Sequence, residues 1–226
     1  TGRTTDTGLT LAPMIYEFGW KNTDYDLLSA GTVAGHILEC GAQSSGGNFL
    51  GDWQSIPNMA EIGFPIAEAY PNGEVTITKH QNTGGRVSFE TVAEQLLYEI
   101  GDPKSYITPD CVADFTSIKL EDLGNDHVKM YSVKGFPETE FYKVSCSYSD
   151  GFSAVSSLTY SWPQALTKAR VADEILRKRL ANLLLQFDEI RSEFVGYNST
   201  HGPLAKQLEE NDINEIMLRI AVRSHD

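Results

Sequence analysis

The residues with the clearest chemical potential lie in a short run that begins at Ala34. His36 and Glu39 are three positions apart, which places them on one face of a helix, and Cys40 follows directly. An imidazole beside a carboxylate can share a proton and act in general acid–base catalysis. Two ligands are too few for a metal site, so we expect no metal here. A buried histidine near a helix end is the structural alternative, and Cys40 is more simply a small packed side chain than a nucleophile.

Three loops rich in glycine, threonine and serine adjoin helices and are candidate sites for an anionic ligand. The loops 1–6 and 82–86 lead into helix N-termini, where free N–H groups and the helix dipole favour negative charge. The loop 44–48 follows the His36 helix. Their candidate ligand-binding residues are Arg3, Thr5, Gly46, Gly47, Thr83, Gly84, Gly85 and Arg86, and Asp6 is a candidate acid or base. The sequence contains neither a Walker A motif nor GxGxxG, so turns that need glycine are the alternative.

A further polar loop, 196–202, lies near the end of the chain. It contributes His201 as a candidate catalytic residue and Asn198 as a candidate ligand-binding residue. A solvated surface loop is the alternative, and the sequence does not decide between them.

The amino-acid composition of the chain argues against some classes of function. The 226 residues include 31 acidic and 18 basic side chains, a net charge of −13 that disfavours binding to nucleic acid. No apolar run reaches the ~18 residues of a membrane span. Three cysteines without metal-ligand spacing favour a reducing compartment, so we expect a cytoplasmic protein. We also expect the chain to form a homo-oligomer.

Hydrophobic periodicity divides the chain near Pro109. We expect an α/β part over 1–109, with Gly-rich loops at helix ends, and an α+β antiparallel meander with one long covering helix over 110–226. The predicted helices are 7–20, 25–42, one that begins near Ser88 and buries Val92, Leu96, Leu97 and Ile100, and 162–185 with Pro163 in its first turn. The predicted strands are 75–78, 112–120, 128–133, 141–148, 152–160, 187–197 and 215–223.

Several ordered blocks resemble the acyclic terpene utilisation AtuA family, formerly a domain of unknown function. They are Gly2–Asp6 followed by Leu11–Pro13, Ala34–Gln43, Ile62–Glu68, Thr83–Gly85, Thr91–Glu99, Tyr148–Gly151 and Leu218–Arg223. The resemblance covers nearly the whole chain. Family members carry a further N-terminal α/β portion, and this chain begins without Met inside a candidate loop, so we expect a fragment of a longer protein.

The resemblance implies a pathway more than an active site. The family is named for bacterial catabolism of citronellol and geraniol, where it accompanies geranyl-CoA carboxylase. It therefore implies an enzyme of acyclic terpene or branched acyl-CoA catabolism, with a CoA thioester or carboxylate as anionic substrate. For such an enzyme we expect no cofactor, and Asp6, His36 and Glu39 are the acid–base candidates that the residues themselves offer. Arg3, Lys79 and Arg86 would supply positive charge. A non-catalytic module that binds or assembles with acyl-CoA carboxylase subunits is the alternative.

Overall fold

The structure is a computed structural model that describes residues 6–141, 144 and 146–225. Contacts between Cα atoms divide the chain into two compact units, 1–146 and 147–226. The chain is a mixed α and β protein, as the sequence predicts, and every strand pair in its described sheets is antiparallel.

The described residues of the first unit form three α-helices and two antiparallel sheets. Its helices are α1 (Gly8–Phe18), α2 (Tyr25–Leu38) and α3 (Phe89–Leu97). Its strands are β1 (Pro65–Ala69), β2 (Val75–Lys79), β3 (Tyr106–Ile107), β4 (Val112–Asp114), β5 (Lys119–Gly124), β6 (His127–Tyr131) and β7 (Lys134–Phe136). The sheet orders are β1-β2-β6-β5 and β3-β4-β7.

Helix α2 forms the centre of this unit, since every residue from Leu28 to Ile37 is buried. Its composition of Ala, Gly, Ser and Thr lets neighbouring elements approach closely. A Cβ atom added at Gly35 would lie 2.6 Å from the Cα atom of Thr7. The start of α1 therefore packs directly against the turn of α2 that carries His36.

Within residues 147–225, the second unit has one α-helix and one sheet. The strands are β8 (Phe152–Ser161), β9 (Glu189–Val195) and β10 (Glu215–Ser224), and the helix is α4 (Ala165–Asn182). The last strand lies between the other two, in the order β8-β10-β9. This order is not the sequential meander that the sequence suggests. The buried side chains Ala165, Leu166 and Ala169 of α4 pack with Ile213, Ile216, Leu218 and Ile220.

Several element boundaries differ from the sequence-based expectation. Helix α2 ends at Leu38 rather than near Ala42, because the chain turns at Gly41, which has a φ of 58°. Helix α3 begins after Ser88, whose side chain caps it, but Leu97 is exposed, so that part of the predicted buried stripe is wrong. The described residues of 141–148 form no strand.

The expected division near Pro109 falls inside the first unit, because β3 and β4 pair with each other across it. Helix α4 begins at Ala165, so Pro163 precedes the helix instead of lying in its first turn. No helix in the described part of the chain has the length and apolar composition needed to cross a lipid bilayer.

Candidate functional site

His36 lies near the end of α2 and is held by the chain on both ring nitrogens. Its Nδ1 is 2.8 Å from Oε1 of Glu39, one helical turn further on, and its Nε2 is 2.9 Å from the main-chain oxygen of Gln95 on α3. The ring is only 1% exposed and meets the rings of Tyr106 and Phe115 edge-on, at centroid distances of 5.6 and 5.4 Å. The helical spacing of His36 and Glu39 thus produces the contact that it predicts.

The hydrogen-bond partners of His36 determine where its protons lie. A main-chain carbonyl can only accept, so Nε2 must carry a hydrogen that it donates to Gln95. Nδ1 either donates to an ionised Glu39 or accepts from a protonated one, so one proton is shared between these two groups. The side-chain amide of Gln95 also donates to the main-chain oxygen of His36 over 2.7 Å. His36 therefore has no nitrogen left for a substrate and acts on Glu39.

Glu39 is the member of this pair that reaches solvent, with its side chain 13% exposed. One carboxylate oxygen is held by His36, and the other makes no hydrogen bond or ion pair within the described residues. A carboxylate oriented by a buried imidazole on one side and open on the other is a suitable general base.

Tyr106, on β3, packs its ring against His36, and the charge of Glu39 acts on its phenol. Burial raises the pKa of its phenol to about 12, with the negative charges of Glu39, Asp6, Glu99 and Cys40 adding to the effect. Its hydroxyl therefore stays protonated at neutral pH. The hydroxyl makes no hydrogen bond with any residue that the structure describes, so it is available as a donor to a ligand.

Asp6 is the third residue of the predicted acid–base set. It comes just before Thr7, which packs on Gly35, and its charge acts on Tyr106. The structure therefore brings Asp6, His36 and Glu39 into one neighbourhood. Arg3 and Thr5, the other candidates of the first loop, lie outside the described residues.

The loop 82–86 uses its main-chain amides internally. The N–H groups of Gly84, Gly85 and Arg86 donate to the main-chain oxygens of Glu61, Pro57 and Ser45, at 2.9, 2.8 and 2.9 Å. A Cβ atom at Gly84 would clash with the main-chain oxygen of Asn58. These glycines allow two backbone segments to meet, and none of the three amides points to a free anion site.

Thr83 and the loop 44–48 are also engaged within the chain. The Thr83 hydroxyl donates to the main-chain oxygen of His80 over 2.6 Å. The amides of Gly46 and Gly47 donate to the main-chain oxygens of Gln43 and Ala42, each over 2.9 Å. The loop 44–48 is therefore held by hydrogen bonds to the segment that follows α2. The main-chain oxygen of Ser45 in this loop accepts from the amide of Arg86.

Arg86 is a positively charged residue near these loops that could bind an anionic group. Its guanidinium donates to the Ser55 hydroxyl over 2.9 Å and lies 5.9 Å from the centroid of the Phe49 ring. It forms no ion pair with a described carboxylate, and its buried Nε has no hydrogen-bond partner. Lys79, by contrast, is occupied, since its Nζ lies 3.4 Å from Asp126 and 2.9 Å from the oxygen of Thr83.

His201 and Asn198 belong to a turn of the second unit in which His201 is exposed and Asn198 is half-buried. The main-chain oxygen of Asn198 accepts from Gly202 over 2.8 Å, and His201 precedes a short 3-10 helix, Gly202–Leu204. Neither side chain makes a hydrogen bond to another described residue. The described residues also contain no group of three or more His, Cys, Asp or Glu side chains that could hold a metal ion.

Two residues of the candidate site had no signal in the sequence. Gln95 contributes through its main-chain oxygen, which any residue type would provide, and Tyr106 comes from a strand of only two residues. Both are distant in sequence from His36, by 59 positions for Gln95. Only the packing of α3 and β3 on α2 brings them to the site.

Comparison with known proteins identifies the family. The family model described as "Acyclic terpene utilisation family protein AtuA" matches residues 1–226, the whole of this chain. No curated protein and no solved structure matches the chain. The chain therefore belongs to the acyclic terpene utilisation family AtuA.

Proposed function

We propose that this chain is part of an enzyme of acyclic terpene or branched acyl-CoA catabolism, in which Glu39 moves a proton at the carbon next to a carbonyl group. The single observation that carries the proposal is that His36 holds one oxygen of Glu39 and packs against the Tyr106 ring, while the other Glu39 oxygen and the Tyr106 hydroxyl have no partner among the described residues. The family supplies the pathway, acyclic terpene utilisation.

The proposed step uses a base and a hydrogen-bond donor together. Glu39 takes a proton from the α-carbon of the substrate, and the electron pair of that C–H bond moves to the carbonyl oxygen as an enolate. Tyr106 keeps its own proton and donates a hydrogen bond to the enolate oxygen, where the negative charge develops. Return of a proton from Glu39 to carbon completes the cycle, so no oxidant or cofactor is required.

His36 is a positioning residue in this scheme. Its hydrogen bond to the Gln95 main-chain oxygen fixes the ring, and its contact with Glu39 fixes one carboxylate oxygen. The shared proton lets the pair adjust its charge as Glu39 gains and loses a proton. His36 does not touch the substrate in this proposal.

The anionic part of the substrate is assigned to Arg86. A CoA thioester carries phosphate groups and an adenine ring, and Arg86 offers a guanidinium without an ion-pair partner beside the Ser55 hydroxyl and the Phe49 ring. Glu39 and Arg86 are connected through the loop that follows α2, because the main-chain oxygen of Ser45 in that loop accepts a hydrogen bond from the amide of Arg86.

The test is deuterium incorporation. The purified protein is incubated in D₂O with a branched acyclic terpenoid acyl-CoA, with a straight-chain acyl-CoA as control, and the α-carbon is examined by mass spectrometry and NMR. We expect wash-in with the branched substrate, lost in Glu39→Gln by ~10²- to 10⁴-fold, the usual contribution of a general base. Binding of the acyl-CoA without any exchange would overturn the catalytic proposal and favour a non-catalytic binding module.

A further inference from the structure

Two sequence blocks that the proposed function does not use meet at one end of the sheet in the second unit. They are Tyr148–Gly151, just before β8, and Leu218–Arg223, in β10. Asp150 accepts a hydrogen bond from the guanidinium of Arg223. Gly151 has a φ of 80°, and a Cβ atom there would lie 2.5 Å from the main-chain oxygen of Ser224. The turn before β8 therefore packs directly on the end of β10.

His225 joins this turn to the start of a third strand. Its Nε2 lies 3.1 Å from Oδ1 of Asp150, and its Nδ1 lies 2.7 Å from Oδ2 of Asp188, one residue before β9. The main-chain N–H of His225 also donates to that Asp188 oxygen over 2.9 Å. One imidazole thus connects the segments that adjoin β8, β9 and β10.

The two contacts of the ring require a protonated imidazole. An ionised carboxylate can only accept a hydrogen bond, and a neutral imidazole has a single N–H to donate. Hydrogen bonds from His225, together with the charge of Arg223, hold the pKa values of Asp150 and Asp188 below their usual range, so both are ionised at neutral pH. Both ring nitrogens can therefore donate only while His225 carries its positive charge.

The charges that surround His225 favour this protonated form. Hydrogen bonds to Asp150 and Asp188, and the negative charges of these two residues, raise the pKa of His225 above its ordinary value of 6.5. On β10, Arg223 pairs with Asp150, and on β9, Glu189 lies opposite Arg223 in the register. Strand β8 contributes no charged side chain. The two aspartates therefore dominate the surroundings of the ring.

We propose that His225 is a pH-sensitive latch that fastens the turn before β8 to the ends of β9 and β10. While the ring is protonated, it donates to Asp150 and Asp188 together. Once the pH rises far enough to remove one proton, the remaining ring N–H serves only one aspartate.

The contact with Asp150 is the one that is lost. The contact with Asp188 is the shorter of the two, and the main-chain N–H of His225 supports it at every pH. The turn 149–151 is then held by Arg223 and by the packing of Gly151, and it opens more often. The latch involves none of the residues of the proposed catalytic step.

The first measurement is the titration of the His225 ring by NMR. We expect its pKa to lie above 6.5, with both ring nitrogens protonated below that pKa. Asp150→Asn and Asp188→Asn should each lower the pKa. His201, an exposed histidine of the same unit, is the matched control, and its titration should not change in either variant. A His225 pKa at or below 6.5, or one that neither variant lowers, would overturn the proposal.

Hydrogen–deuterium exchange measures whether this proton controls the turn. The protection factors of the amides of 150–153, which are corrected for the intrinsic pH dependence of exchange, should fall about two- to fivefold across the His225 titration, as for an exposed ion pair. His225→Gln should remove this step, and circular dichroism should report intact secondary structure. Protection that does not change across the titration, or an equal step in His225→Gln, would overturn the latch.

Discussion

The end of α2 and the loop 82–86 both carry residue types that are typical of functional sites, but the structure uses them differently. In the loop, the amides of Gly84 and Gly85 donate to main-chain oxygens of the chain itself. At the end of α2, the chain satisfies His36 completely and leaves an oxygen of Glu39 and the hydroxyl of Tyr106 without described partners.

This difference shows what distinguishes a glycine-rich turn from an anion site. Every buried main-chain N–H needs an acceptor, and the loop meets that need with its neighbours at Pro57, Glu61 and Ser45. A group is available for chemistry only when the fold holds it in place without using all of its hydrogen-bonding capacity. Glu39 meets that condition, and the glycines of the loop do not.

The largest expected change in folding stability comes from a substitution in the loop 82–86. Gly84→Val should lower the free energy of unfolding by about 3 kcal/mol or more, because the new side chain would overlap the main-chain oxygen of Asn58. Chemical denaturation measures this, with Gly101→Val as a matched control, since nothing lies within 4 Å of a Cβ there. A Gly84→Val protein of unchanged stability that fails to bind acyl-CoA would restore the loop as an anion site.

His36→Gln should have the next largest effect on stability. The change removes the partner of Glu39 and disturbs the contact with Gln95, so we expect a loss of about 2 kcal/mol, below the range for a fully buried pair because Glu39 reaches solvent. A double-mutant cycle with Glu39→Gln isolates the interaction between the two side chains. Additive effects would show that the pair contributes no coupling.

The titration of Tyr106 at high pH tests the surroundings that the structure gives this residue near the end of α2. Burial raises the pKa of Tyr106 in the folded protein to about 12, from 10.0 for a free phenol. The protonated phenol therefore makes its full contribution to folding stability below pH ~10. That contribution is lost as the pH rises from ~10 towards ~12, because the unfolded state loses the proton first. The phenolate absorbance of the native protein minus that of Tyr106→Phe should show the late titration. Glu39→Gln should move it to lower pH by removing a negative charge, and a difference curve centred near 10 would contradict this environment.

Arg86→Gln should have the smallest effect on stability, less than about 1 kcal/mol, because its contacts with Ser55 and Phe49 are partly exposed. Isothermal titration with CoA should nevertheless show weaker binding. Arg170→Gln is the matched control, since Arg170 lies 5.8 Å from the Tyr197 ring in a similar contact. Equal losses of affinity in both variants would argue against a specific role for Arg86.

Local features could be predicted from the sequence, and long-range ones could not. Helical spacing brings His36 and Glu39 together, and Ser88 begins α3 as its residue type indicates. The contributions of Gln95 and Tyr106 depend on tertiary packing, which periodicity does not report. The insertion of β10 between β8 and β9 was likewise beyond the sequence pattern, because alternation predicts a strand but not its neighbours.

The most direct test of the account compares Glu39→Gln with His36→Gln in the deuterium exchange assay, at matched amounts of folded protein. If Glu39 is the base and His36 positions it, His36→Gln should retain exchange at ~10% of the unmodified rate, while Glu39→Gln should fall by ~10²-fold or more. Equal loss in both variants, or greater loss in His36→Gln, would contradict the assignment of Glu39 as the group that meets the substrate.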